Sequence, residues 1–435
     1  MSIIQASIPL FFLLIVAELL WSHWRGQRLS RLNDAVADIS CGVLSQMAGI
    51  FDKAITLGVY VWVVGHAAVQ DWLPVVPAWP DRSPFPAGDG FPLDWAALAS
   101  WVVTFVLVDL CYYWSHRMSH EVNLLWAGHV VHHQSEEYNL SVALRQATIG
   151  KLFTWMFYLP LAFMGVPWRL FVACYGVNLV YQFVLHTRAV GKLAPPVEAV
   201  MNTPSHHRVH HGVNAKYQDR NYAGVFIVFD KWFGTYQVED DAEPVVYGTT
   251  KPLNTWNPVA ANLQVFRYLW EDWQRVTRWS DRLRLLFGRP GWRPAELGGP
   301  IPAPTVSVET FVKFDPPVPG PLVGYGMVQF VLATLAGIQL LRTAKTLPRL
   351  DAAAAAFLVV VALVGVAGVF ERAKWTRPLE TARLVSLLMV GTVLVTTQST
   401  YAPWGLGAIV LSVVSLLLLW RYRTAFTEVA LAPVM

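Results

Sequence analysis

Charge is what this chain has least of. Asp, Glu, Lys and Arg together make up 14% of its 435 residues, while apolar residues reach 54%. Soluble domains carry roughly 25% charged residues, so an ordinary water-soluble fold is excluded. The net charge of +4 is small. The basic residues border apolar segments instead of forming an aromatic-interleaved patch, which excludes a nucleic-acid partner. Cysteine is nearly missing too: Cys41, Cys111 and Cys174 each sit in or beside an apolar run. Without paired spacing they form no disulfide framework and no thiolate metal motif, which removes iron–sulfur clusters and structural zinc. No basic residue precedes the first apolar run, Ser7 to Trp21, and no small-residue cleavage site follows it. That run is therefore expected to remain as an anchor, not to be removed as a signal peptide.

Long apolar segments are abundant. After the first run they cover residues 42–69, 96–114, 152–185, 323–341, 352–370, 384–397 and 402–420. A helix crosses a bilayer in about 20 residues, so the segment 152–185 is expected to be a hairpin broken near Gly165-Val166-Pro167. The expected fold class is all-α: a multi-span integral membrane helical protein with about nine crossings or re-entrant helices. Twenty tryptophans suit that many bilayer interfaces. Arg25, Arg28 and Arg31 place the loop after the first span in the cytoplasm, and the loop from Gln70 to Asp94, with Arg82 as its single cation, outside. The next span then ends at His116 on the cytoplasmic side, and residues 202–245 read as a compact cytoplasmic cap. From Asn262 to Phe287, Leu263, Phe266, Trp270, Trp273 and Val276 recur at helical spacing among Arg267, Arg275, Arg278 and Arg282. A basic, Trp-rich amphipathic helix lies in the membrane interface. Three regions follow: a catalytic region with this interfacial helix at 1–287, a Pro/Gly-rich linker at 288–322, and a C-terminal membrane region at 323–435 that contains no histidine.

Ten of the twelve histidines fall between His116 and His211. Eight of them form three boxes: His116-x-x-x-His120, His129-x-x-His132-His133 and His207-x-x-His210-His211. Residues three and four apart share a helix face, so each box aims two or three imidazoles at one point. A lone HxxxH is more often a solvated helix face. Three boxes within 96 residues point to metal, since neutral imidazole is the commonest protein ligand for it. Eight rings are too many for one ion and suggest two ions of higher coordination number, which suits iron better than zinc. Arg117 stands where a zinc protease would have its glutamate, so hydrolysis is disfavoured. His186, at the end of an apolar run with Gln182 one turn earlier, is a ninth candidate ligand; His206 is read as lying behind the ligands or facing substrate. Metal-bound histidines pass their second N–H to a carboxylate or carbonyl, and Asp109, Glu121, Glu136 and Glu137 are the nearby acids. Asp109 shares a face with His116 and is expected either to pair with a histidine or arginine or to end its span in solvent. Arg145 and Gln146 are candidates to orient a headgroup or the acids.

The sequence resembles the fatty acid hydroxylase and sterol desaturase superfamily, and within it most closely the branch that cleaves glyceryl ethers. The resemblance rests on His116-Arg-Met-Ser-His120-Glu121-Val-Asn, Trp126-Ala-Gly-His129 with His132-His133, Tyr138-Asn-Leu-Ser141 and Leu144-Arg-Gln146. It continues in Asn202-Thr-Pro-Ser-His-His-Arg-Val-His-His-Gly212, Asn221-Tyr-Ala-Gly-Val225, Asp230-Lys231, Phe233-Gly-Thr235 and Val246-Tyr-Gly248. It is dense from about 109 to 248; the flanking spans agree only in character. It implies a di-iron, tetrahydrobiopterin-dependent monooxygenase that uses molecular oxygen on an alkylglycerol lipid. The eight box histidines, with His186, would hold the iron ions and Glu121 would contact the pterin. One alternative is a sterol, fatty acid or other lipid hydroxylase or desaturase fed by an electron-transfer protein. A metal transporter is a different class, but it would place ligands at mid-bilayer on several spans.

Overall fold

The computed structural model describes residues 3–73, 79–80, 83–84, 94–302 and 305–426, without the side chains of residues 52–55. Arg82, on which the outward orientation of its loop relied, lies outside the described residues. Helices dominate, and the strand-like pairing among the described residues is two isolated bridges, Met201 with Phe226 and Gly212 with Tyr247. Among the described residues seven helices are long and apolar enough to cross a membrane: Ile3–Trp24, Trp95–Glu121, Trp168–Leu185, Gly320–Thr343, Arg349–Glu371, Thr376–Thr396 and Ala402–Arg421. An eighth span is made if the bent pair Leu32–Phe51 and Thr56–Trp72 counts as one. The protein is a multi-pass membrane protein. The hairpin breaks between Phe163 and Trp168, near the expected point, and its first limb is not among the full-length spans. That limb consists of three short pieces, Lys151–Thr154, Trp155–Tyr158 and Leu159–Phe163, the middle one a tighter 3₁₀ turn that cannot extend. The amphipathic stretch likewise forms two helices, Pro258–Arg275 and Trp279–Phe287.

The chain divides into two units. Residues 1–45, 49–252 and 262–312 form one, and residues 46–48, 253–261 and 313–435 the other. In the second, the carboxylate of Glu380, 1% exposed, accepts from Arg383 at 2.7 Å and from the Tyr325 hydroxyl, and Gln329 accepts from the same guanidinium at 2.8 Å. This polar knot ties the apolar helices Gly320–Thr343 and Thr376–Thr396 together.

The first unit is organised by buried carboxylates. Glu18 accepts from the backbone N–H of Leu140 at 2.8 Å and from the Thr187 hydroxyl. Asp38, fully buried, accepts from Ser141 Oγ at 2.8 Å and from Arg145 at 3.3 Å. Asp109, also fully buried, accepts from Asn178 Nδ2 and from the N–H groups of Val225 and Phe226 at 2.7 to 2.9 Å. Asp109 therefore neither pairs with a histidine or arginine nor ends its span in solvent: main-chain donors satisfy it. Asp230 does the same for the preceding peptides, accepting from Tyr222 N, Ala223 N and Thr235 Oγ1 at 2.7 to 2.8 Å. Together the two aspartates grip residues 222–226 from both ends. Arg31, counted above as a loop charge, also joins a network with Asp34, Glu136 and Glu137 at 2.8 to 3.2 Å.

Removing a carboxylate that satisfies three buried donors strands those donors, at a cost of about 3 kcal/mol. Asp230→Ala is expected to lower stability by about that amount, read as a clear drop in the thermal midpoint of the detergent-solubilised protein. An unchanged midpoint would contradict this account of the segment 222–226.

Candidate metal centre

The three boxes reach one place by three local devices. The helix Trp95–Glu121 is started by Asp94, whose carboxylate accepts from Ala97 N at 3.0 Å, and its last two turns carry His116 and His120 on one face. The second box follows a close backbone crossing: a Cβ on Gly128 would stand 2.6 Å from the Gly150 Cα. Only glycine lets the chain bring His129 in there. Arg145, 3% exposed, then holds the box, donating to Val131 O at 2.7 Å and to Gln134 Oε1 at 3.2 Å while its own carbonyl accepts from His132 Nδ1 at 3.0 Å. Arg145 is thus a brace for the second box and not a headgroup ligand. Gln146 only donates to the Ala143 carbonyl. The third box lies on Pro204–His210, a short helix capped by Thr203, whose side chain accepts from His206 N, with Pro204 in the first turn.

Nine imidazoles converge in two groups. His116, His120, His129, His133 and His210 form one, and His132, His186, His207 and His211 the other; in each, one ring nitrogen per residue lies within 4.8 Å of all the rest. These are the eight box histidines and His186. The groups are adjacent, with ring centroids 4.4 Å apart for His133 and His211 and 5.2 Å for His207 and His210. His206 stays outside both, with its Nε2 3.1 Å from Glu198.

The hydrogen bonds behind the rings decide what the inner nitrogens can do. Nδ1 of His116, His132, His186 and His210 donates to the carbonyls of Tyr222, Arg145, Gln182 and Arg220 at 2.8 to 3.0 Å. A carbonyl only accepts, so each of these rings carries its proton on Nδ1 and a lone pair on Nε2. Yet His132 Nε2 and His186 Nε2 stand 3.2 Å apart. Two lone pairs at that distance repel unless a cation lies between them. Two nitrogens each about 2.1 Å from one ion and at right angles about it are separated by about 3 Å. Further spacings of that size join His116 to His129 (3.0 Å), His129 to His133 (3.2 Å) and His186 to His207 (3.1 Å). Nε2 of His120, His210 and His211 is buried without any hydrogen-bond partner. The donor set and these orphaned atoms fit a metal ion in each group.

Burial, then the neighbouring rings, holds His133, His207, His210 and His211 well below the ordinary imidazole range. Burial pulls His132 down to about 4. The rings are therefore neutral at pH 7, the form that binds metal. Carbonyls stand behind four of the rings, and the carboxylate of Asp219 lies 3.6 Å from His120 Nδ1. Glu121 is paired with Arg117 at 2.8 Å, and Arg289 approaches it to 3.7 Å. Tyr222 and Tyr138 were not singled out from the sequence. Tyr222 lies 5.3 Å from His120 and Tyr138 5.2 Å from His211, ring to ring. Both stood inside motifs quoted for their resemblance, with nothing in residue type or spacing to mark a role.

Comparison with known proteins agrees with this geometry. The fatty acid hydroxylase family matches residues 101–235, the stretch that contains all nine histidines. Alkylglycerol monooxygenase of Xenopus tropicalis is 35% identical over 383 residues, covering 87% of this chain and 80% of its own length. The Homo sapiens protein of the same name is 34% identical over 391 residues, 89% of this chain and 82% of its own. Ornithine lipid hydroxylase OlsE of Rhizobium tropici shares 26% over 154 residues, 34% of this chain and 44% of its own length. No solved structure matches the chain. With the histidine groups placed as they are, the chain belongs to the alkylglycerol monooxygenase family, oxygen-dependent membrane lipid monooxygenases of the fatty acid hydroxylase superfamily.

Proposed function

We propose that the protein hydroxylates the alkyl carbon next to the ether oxygen of an alkylglycerol lipid, using a pair of iron ions and a reduced pterin. The observation that carries this reading is the pair of converging imidazole groups, in a membrane chain about a third identical to alkylglycerol monooxygenases. His116, His120, His129, His133 and His210 would hold one ion and His132, His186, His207 and His211 the other. Bound there, the iron pair would supply oxygen activation and attack on the C–H bond next to the ether oxygen. The chain's own part is positional. Carbonyl acceptors behind the rings fix the tautomers, and Arg145 and the aspartates fix the carbonyls. The hydroxylated carbon is then a hemiacetal, which collapses to a fatty aldehyde and a free glycerol hydroxyl.

Glu121, held by Arg117 beside the first box, is the candidate pterin contact. We place the centre on the cytoplasmic side, where pterin and its recycling are found. Residues 1–287 are taken as the catalytic region with its interfacial helix, 288–322 as the linker, and 323–435 as the C-terminal membrane region.

Product analysis tests the reaction: an alkylglycerol, oxygen and tetrahydrobiopterin are expected to yield a long-chain aldehyde with no added protein. Turnover that required a ferredoxin or cytochrome as electron donor, or a hydroxylated sterol or fatty acid as product, would replace the proposal with its alternative. Glu121→Gln should raise the pterin KM severalfold at unchanged metal content.

The two groups can be separated by substitution. His132→Ala and His210→Ala are each expected to abolish turnover while the protein still inserts, each lowering the metal bound by about one ion of the pair. Full turnover in both variants would refute the ligand assignment.

Acid should act on the same rings. Unfolded imidazoles titrate near about pH 6.5, and the folded rings lie lower. The stability they contribute is therefore complete above about pH 6.5 and is lost as pH falls toward about 4. The thermal midpoint of metal-free protein should be flat from about pH 7 to 8 and fall below about 6.5, and bound metal should be released over the same descent. A midpoint that rises on acidification would contradict the neutral-ring assignment.

A further inference from the structure

Tyr222 is buried completely, yet its phenol oxygen has no hydrogen-bond partner. Among the described residues no other tyrosine oxygen is buried in that way. Other buried tyrosines find acceptors: Tyr60 donates to Val166 O at 3.0 Å, Tyr138 to Leu185 O at 3.1 Å and Tyr217 to Glu243 O at 2.7 Å. Even Tyr113, packed in the same aromatic cluster, shares a hydrogen bond with Thr235 at 3.0 Å and accepts one from Arg117 at 3.2 Å. A buried hydroxyl without a partner is a cost to the fold, so the position of this one calls for a reason.

Its place is tightly specified. The Tyr222 N–H donates to Asp230 at 2.7 Å, and its carbonyl accepts from His116 Nδ1 at 2.8 Å. One peptide thus sets both a ligand tautomer and the direction in which the phenol leaves the chain. The ring stands 5.3 Å from His120 and 6.0 Å from both His116 and His210, three of the five members of one imidazole group. A phenol, whose ordinary pKa is about 10, is protonated at neutral pH. The result is an O–H donor whose ring packs against the histidine cage, with no hydrogen-bond partner among the described residues.

We propose that the Tyr222 phenol donates a hydrogen bond to the small acceptor ligand taken up at the five-histidine group, dioxygen or a substitute for it such as azide, and so orients that ligand. The proposal rests on the reading that this group holds a metal ion. It accounts for an unsatisfied donor that packing alone leaves unexplained, since phenylalanine would fill the same space without the cost.

The test uses the full-length, iron-loaded protein, with azide binding followed by its charge-transfer absorption. Tyr222→Phe should retain the wild-type metal content and bind azide about fivefold more weakly, the equivalent of one hydrogen bond. Its metal-free form should melt at or above the wild-type midpoint, because the hydroxyl removed had no partner to lose. Tyr60→Phe, which deletes a satisfied phenol away from the histidines, should do the reverse: a lower midpoint and unchanged azide affinity. Equal azide affinity in wild type and Tyr222→Phe, with metal retained, would overturn the role of Tyr222 and leave the metal assignment standing. A fall in the Tyr222→Phe midpoint would also overturn it, by showing that the hydroxyl serves the fold. Wild-type protein that takes up neither iron nor azide would overturn the underlying reading, and the proposal with it.

Discussion

Lone pairs that have nowhere to go are the constraint on which this structure turns. Four imidazoles give their Nδ1 protons to main-chain carbonyls, which leaves Nε2 atoms facing one another at hydrogen-bond distance with no proton between them. Protonating the rings would relieve the repulsion, but burial opposes the extra charge. A metal ion in each group would satisfy these nitrogens instead.

Much of the rest can be understood as support for those carbonyls. The Tyr222 carbonyl belongs to a segment that Asp109 and Asp230 grip through four N–H groups. The Arg145 carbonyl is held because the Arg145 side chain is locked by Asp38, Val131 and Gln134. The Gln182 carbonyl is one turn before His186 on the same helix, and the Gln182 side chain is occupied by Asn178 at 2.6 Å. A catalytic metal site needs second contacts of this kind to hold ligand orientation, and here they are mostly main chain.

The convergence of the histidines was legible in the sequence because histidine is rare outside the boxes and because i, i+3 and i+4 spacing has a direct geometric meaning. His186 was legible from its position at the end of an apolar run. The carbonyls were not, since every residue carries one and only the fold selects which are used. Asp109 shows the same limit: its face was read correctly, but its partners are peptide N–H groups 116 and 117 residues away. Sequence distance hid the pairing of Arg31 with Glu136 and Glu137. The break of the hairpin near Gly165 was legible, but the division of its first limb into short pieces at Trp155–Tyr158 was not, because apolar character alone does not set helix length. The phenol of Tyr222 is a mismatch visible only once every hydrogen bond has been assigned.

The central claim, that nine imidazoles divide between two ions with no sulfur and little carboxylate, is tested most directly by X-ray absorption at the iron edge of the loaded protein. The account predicts a nitrogen shell near about 2.1 Å, with the outer-shell pattern of four to five imidazoles per iron, matching the two groups. A sulfur shell, or a carboxylate-dominated shell with at most one or two imidazoles per iron, would contradict it.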